Sequence, residues 1–122
     1  MATILIIDDE PMILTLATKI LERDSHSIIT ASRSEEAILL FQKQHKEIDM
    51  TLVDMNLDKL SGCDLLIEFR KLAPEIAGII SSGNSMNKND LPEHLQNNIH
   101  FLQKPYRAKE LSELVNSILT IV

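Results

Sequence analysis

The sequence predicts an α/β fold: a three-layer α/β/α sandwich on a five-stranded parallel sheet with five helices. Two observations carry that prediction. Five short apolar runs alternate with five amphipathic stretches along 122 residues, the pattern of repeated βα units. The best runs are continuously apolar, as expected of strands covered on both faces, and right-handed crossovers then distribute the helices over both sides of the sheet.

The first strand is Thr3 to Asp8, and Pro11 suits the first turn of the helix after it. Ile13, Leu16, Ala17, Ile20 and Leu21 recur there at helical spacing. The second run, Ser27 to Ala31, is more polar and belongs nearer an edge. Ser32 to Glu35 has the form of a capping box, and the helix it opens buries Ala37, Leu40 and Phe41. The third strand is Met50 to Asp54. The loop NLDKLSG closes at Gly62, where a residue without Cβ has conformational freedom. Leu65, Leu66, Phe69 and Leu72 form the third stripe, stopped by Pro74.

The fourth strand is Ile76 to Ser81. The segment after it, NSMNKNDLPEHLQNN, is rich in Asn, a poor helix former, and has Met86, Leu91 and Leu95 as apolar anchors. It predicts a short, loosely held fourth helix. The fifth strand is Ile99 to Gln103, and the fifth helix buries Leu111, Leu114, Val115, Ile118 and Leu119.

Length and composition fit one domain, residues 1–122. A chain of this size buries roughly two thirds of its unfolded surface. With aromatics at 3% and no Trp, Leu and Ile must fill that interior. A net charge of −6, with no basic cluster, argues against nucleic acid, which requires cations to displace phosphate counterions. Cys63 is the sole cysteine, so neither an internal disulfide nor a cysteine metal site is available. The N-terminal residues lack the pattern of a signal peptide, and no apolar run is long enough to span a bilayer. The expectation is a cytoplasmic protein with no membrane contact.

In open parallel sheets ligands sit beyond the carboxyl ends of the strands. Asp8 and Asp9, Asp54, Ser82 and Lys104 all fall at such ends. Clustered carboxylates without His or Cys select a hard cation, most plausibly Mg²⁺. Asp9 and Asp54 would be direct ligands, with Asp8 acting through water and the backbone carbonyl near Asn56 adding an oxygen. With charge so neutralised, Asp54 can attack phosphorus and form an acyl phosphate, while Lys104 pairs with one phosphoryl oxygen and Ser82 donates to another. Each feature alone also reads as a turn, cap or solvated side chain; the ordered set is what points to chemistry. His26, His45, His94 and His100 are scattered, Cys63 reads as a partly buried thiol, and Gly62, Gly78 and Gly83 form no phosphate-cradling loop.

These residues carry a resemblance to the receiver domain of two-component response regulators, from Thr3 to about Leu119. ILIIDDEPM resembles that family's first strand and acidic pair, DMNLDKLSGCDLL its phosphoacceptor loop, and IISSGN and FLQKPY its hydroxyl and lysine segments. The resemblance implies the flavodoxin-like strand order 2-1-3-4-5. It implies that Asp54 accepts phosphate from a sensor histidine kinase or a histidine phosphotransfer protein, that Asp8 and Asp9 hold Mg²⁺, and that Ser82 and Lys104 contact the phosphoryl group. Ser82 rather than Ser81 matches, because Gly83 then occupies the family's small position. It further implies a cis Lys104–Pro105 bond, Phe101 as switch aromatic, and signalling or homodimerisation through the fourth helix, fifth strand and fifth helix. Asn56 and Asn84 stand where the family tunes hydrolysis of the acyl phosphate. One departure is Asp58, where the family often has Pro, which puts an extra acid near the site and bears on loop geometry or metal affinity.

A rival reading is a haloacid-dehalogenase-like, Mg²⁺-dependent phosphohydrolase, which also uses an Asp nucleophile, a hydroxyl and a Lys. Asp54-Met55-Asn56 lacks that family's second Asp, and the acid pair precedes the nucleophile strand instead of following it. The sequence favours a module that stores a phosphoryl group over an enzyme that turns over substrate.

Overall fold

The structure is a computed structural model that describes residues 1–119; the last three positions of the expected 1–122 domain lie outside the described residues. In chain order the elements are β1 (Thr3–Ile7), α1 (Pro11–Arg23), β2 (Ser27–Ala31), α2 (Ser34–Gln44), β3 (Met50–Asp54), α3 (Gly62–Leu72), β4 (Ala77–Ser82), β5 (Ile99–Gln103) and α4 (Ala108–Leu119). All strand pairs are parallel, in the order β2-β1-β3-β4-β5. The chain reverses its direction of travel across the sheet after β2, which leaves the ends of β1 and β3 side by side at the switch point.

Strand alternation sorts the core into two layers. Ile4, Ile6, Leu52 and Ile79 face α1 and α4, where they pack with Ala17, Leu21, Leu111 and Val115. Leu5, Ile7, Val53 and Ile80 face α2 and α3 and meet Ala37, Phe41, Leu65, Leu66 and Phe69. Phe41 and Phe69 stack with ring centroids 4.3 Å apart. Full burial of each Leu or Ile stabilises by about 1.5–3 kcal/mol. Leu16 and Leu72, expected inside, are 44% exposed at the flanks of their helices. Leu114 and Leu119 are only partly buried, as is Leu40.

Three local expectations are corrected. No capping box forms at Ser32 and Glu35. The helix starts at Ser34, one residue later than such a box requires, Glu36 accepts from the Ser32 N–H at 2.9 Å, and the N-cap residue Arg33 offers no side-chain acceptor. The capping box belongs instead to α3, between Ser61 and Asp64. Gly62 is required for space and not for an unusual φ, since a Cβ there would lie 2.7 Å from the Asp54 carbonyl oxygen.

The fourth helix is the element that the sequence overstated. Between β4 and β5 the described residues form two single 3₁₀ turns, Lys88–Asp90 and Glu93–Leu95. Asn87 caps the first with its own side chain, and Pro92, which cannot donate within a helix, separates the two. The expected anchors still hold: Leu91 and Leu95 are buried and Met86 packs against the same core layer. The helix expected fifth is therefore α4. Arg70 secures the far end of this region, its guanidinium donating to Ile76 O at 2.8 and 3.0 Å and to Asn97 O at 2.7 Å.

Candidate functional site

The carboxyl ends of β1 and β3 set Asp8 and Asp54 beside each other. Asp8 is 2% and Asp54 5% exposed, whereas Asp9 and Glu10 are open to solvent. One carboxylate oxygen from each of Asp8, Asp9, Glu10 and Asp54 can be chosen so that all lie within 4.8 Å of one another. Asp8 Oδ1 accepts from the Glu10 N–H at 2.9 Å, which folds the acidic stretch over the strand end. Asp54 Oδ1 accepts from the Asn56 N–H at 3.3 Å.

Lys104 is the counter-charge. Its N–H donates to Ser82 O at 2.7 Å, continuing the β4–β5 ladder, and the Lys104–Pro105 bond is cis. Its Nζ lies 2.8 Å from Asp8, 3.4 Å from Asp54 and 3.6 Å from Glu10. Burial alone would depress its pKa, but the hydrogen bond to Asp8 and the charges of Asp8 and Asp54 prevail and hold the ammonium above the ordinary lysine value. Asp54 is displaced the other way for its type. Burial, then the neighbouring Asp8 charge, raises its pKa, and Lys104 and the Asn56 N–H offset this only in part. Beneath them the Tyr106 hydroxyl is pushed up to about 12, chiefly by burial and then by Asp8.

An open cleft of 590 Å³ lies over these groups, lined by Asp9, Glu10, Asp54, Asn56, Gly83 and Lys104 among others. Ser82 is not part of that lining. It pairs in register with Gln103, its Oγ accepts from the Asn84 N–H at 3.1 Å, and it lines a separate 120 Å³ cavity with Met86 and Phe101. The structure therefore joins Asp8, Asp9, Asp54, Asn56 and Lys104 in one cleft and sets Ser82 and Phe101 together in another. One participant escaped the sequence reading: Glu10 stands third in the acidic run, a signal that was present in ILIIDDE. Asp58, the extra acid expected near the site, does not line the cleft.

Oxygen ligands without His or Cys suit Mg²⁺, which keeps several waters and takes one or two carboxylates. The donor set of the cleft fits that ion.

The family profile for the response regulator receiver domain matches residues 4–116. The chain belongs to this family. Receiver domains are signalling modules that take phosphate from histidine kinases and bind Mg²⁺ at an acidic pocket. The chain is 29% identical to the heme response regulator HssR of Staphylococcus saprophyticus over 98% of its own length and 52% of that protein. It covers 26% of the transcriptional regulatory protein GlrR of Escherichia coli, so it spans about half of the one relative and about a quarter of the other. Among solved structures, a response regulator receiver domain protein from Clostridium thermocellum is 36% identical with a TM-score of 0.87, covering 98% of this chain and 94% of that one. The response regulator TrrA of Thermotoga maritima, solved in complex with Mg²⁺ and BeF, is 28% identical with a TM-score of 0.83 over 97% of this chain and 99% of that one. Among the described residues, no helix of this receiver domain is long and apolar enough to cross a membrane.

Proposed function

We propose that this receiver domain is a phosphoacceptor switch in which Asp54 takes a phosphoryl group from a phosphohistidine on a sensor histidine kinase or histidine phosphotransfer protein. What supports this most is the largely buried pairing of Asp54 with Lys104 at 3.4 Å on the floor of an acidic cleft. A carboxylate oxygen of Asp54 attacks phosphorus. The P–N bond breaks, its electron pair stays on the departing imidazole nitrogen, and the new P–O bond makes an acyl phosphate. Asp8, Asp9, Asp54 and the backbone carbonyl of Asn56 would hold Mg²⁺, which when bound neutralises charge on the phosphoryl oxygens. Lys104 exchanges its contact with Asp54 for one with a phosphoryl oxygen, as a point charge on a flexible stem.

Ser82 reports the result. Reaching the phosphoryl group requires its Oγ to leave the Asn84 N–H and the small cavity it shares with Phe101. Phe101 then follows into the space beside β4, repacking the face of residues 83–98, β5 and α4, which also serves a homodimer. Asn56 and Asn84 set how quickly water reaches the acyl phosphate. The partner exchange takes place in the cytoplasm.

Incubation with a small phosphodonor and Mg²⁺, followed by intact-mass measurement of wild type and Asp54→Ala, tests the reading. One phosphoryl group on wild type and none on the variant is expected. Equal labelling of the two, or none of the wild type, would overturn it.

A further inference from the structure

Asp58 stands four residues beyond Asp54, in the loop that carries Asn56, yet it does not line the acidic cleft. Its Oδ1 instead accepts from the backbone N–H of Ser34 at 3.0 Å, across 24 residues of sequence. Ser34 is the first residue of α2 and is 1% exposed. The first N–H groups of a helix have no partner within it. Here the N-cap residue Arg33 makes no side-chain cap bond, so an acceptor for that end arrives from the phosphoacceptor loop. A carboxylate is also the favoured group there, facing the positive end of the helix dipole.

We propose that Asp58 is a positioning residue: it clamps the loop of residues 55–60 to the N-terminus of α2 and thereby presets the Asn56 carbonyl that completes the cation site. The role rests on the reading of the cleft given above. The loop needs such a tether. Lys59 and Asp58 are exposed, and Leu57 and Leu60 only partly buried. The segment's other bonds lie at its ends: the Met55 N–H donates to Ser81 O at 2.8 Å, the Asn56 N–H to Asp54, and the Gly62 N–H to Met55 O at 3.0 Å. Those bonds fix the two ends of the loop. Asp58–Ser34 fixes its middle, from a helix that packs on the same core layer as α3.

The test separates hydrogen bonding from charge. Asp58→Ala removes the acceptor, whereas Asp58→Asn retains an oxygen for the Ser34 N–H and loses only the charge. Ser34→Pro deletes the donor from the α2 side at a first-turn position that proline tolerates. Amide exchange of residues 56–59 without metal should quicken in Asp58→Ala and Ser34→Pro and stay near wild type in Asp58→Asn. Calorimetric Mg²⁺ affinity should fall about tenfold in the first two, the lower end for loss of an outer-shell partner. The double variant should be no worse than either single one, because both remove the same bond. Additive losses, unchanged loop exchange in Asp58→Ala, or Asp58→Asn binding Mg²⁺ as weakly as Asp58→Ala would each overturn the clamp. Loop exchange is read without metal or phosphodonor, so it stands or falls separately from labelling of Asp54.

Discussion

The carboxyl edge of the sheet has two halves that differ in how they are held. On the β1–β3 side, Asp8 and Asp54 leave strands whose flanking residues are buried, and Lys104 spans both acids. On the β4–β5 side, Ser82 and Phe101 border a small cavity, and the chain beyond Ser82 is carried by single 3₁₀ turns on two buried leucines. The first half is assembled before any ligand arrives. The second has little packing to lose, which is the property of an element that changes arrangement at small cost. Chemistry and its readout therefore lie side by side but rest on different local stabilities.

The broadest way to break this comparison is amide exchange in the metal-free protein. Amides of Ile4–Ile7 and Leu52–Asp54 should exchange at least about a thousandfold more slowly than those of Asn84–Asn89, whose local opening is nearly free. Similar protection on both sides would remove the distinction.

A smaller effect concerns the charge balance of the assembled half. Lys104→Met leaves Asp8 and Asp54 facing each other without a cation, and should cost about 2 kcal/mol in urea unfolding, less than for a fully buried pair because the cleft is wet. Millimolar Mg²⁺ should restore part of that loss and bind the variant more tightly than wild type. A variant as stable as wild type without metal would show that Lys104 is not the internal counter-ion.

The smallest effect sharpens the role of Asp54 itself. Its pKa is raised in the fold, so the folded state holds that proton more tightly than the unfolded chain does. Its contribution to stability is therefore fully present below the unfolded value of 3.8 and is lost as pH rises through the folded value. At neutral pH the ionised group strains the metal-free fold, and Asp54→Asn should raise Tm by roughly 2–5 °C. The gain should vanish as pH falls below 4. Asp58 behaves oppositely: with its pKa lowered, its stabilisation is present above 3.8 and lost as pH falls through the folded value. A neutral-pH Tm for Asp54→Asn at or below wild type would contradict the strain.

Much of this was legible in the chain because the relevant physics is local. Continuous apolar runs such as ILII and MTLV have to be buried on both faces, and that alone predicts a covered parallel sheet. The polar character of Ser27–Ala31 places β2 at an edge, as found. The ends of those runs then determine that Asp8, Asp9, Asp54 and Lys104 share one rim. Propensity also announced weakness in residues 84–98, although it could not tell a frayed helix from two 3₁₀ turns. That choice depended on Asn87 capping a tight turn and on Pro92 interrupting whatever followed.

Other outcomes were decided by long-range geometry. Gly62 is needed because the Asp54 carbonyl passes 2.7 Å from where its Cβ would be, a proximity no local pattern encodes. The side-chain directions that put Ser82 with Phe101 instead of with the acids depend on which face of β4 and of β5 these residues occupy. The acceptor for the start of α2 came from Asp58, in another loop, where the sequence offered a nearby Ser and Glu. The sequence by itself determined the layered sheet and which residues reach its carboxyl rim, because burial and strand period act over a few residues. Only the tertiary structure decided which of those residues touch, since contacts between loops depend on the relative placement of whole elements.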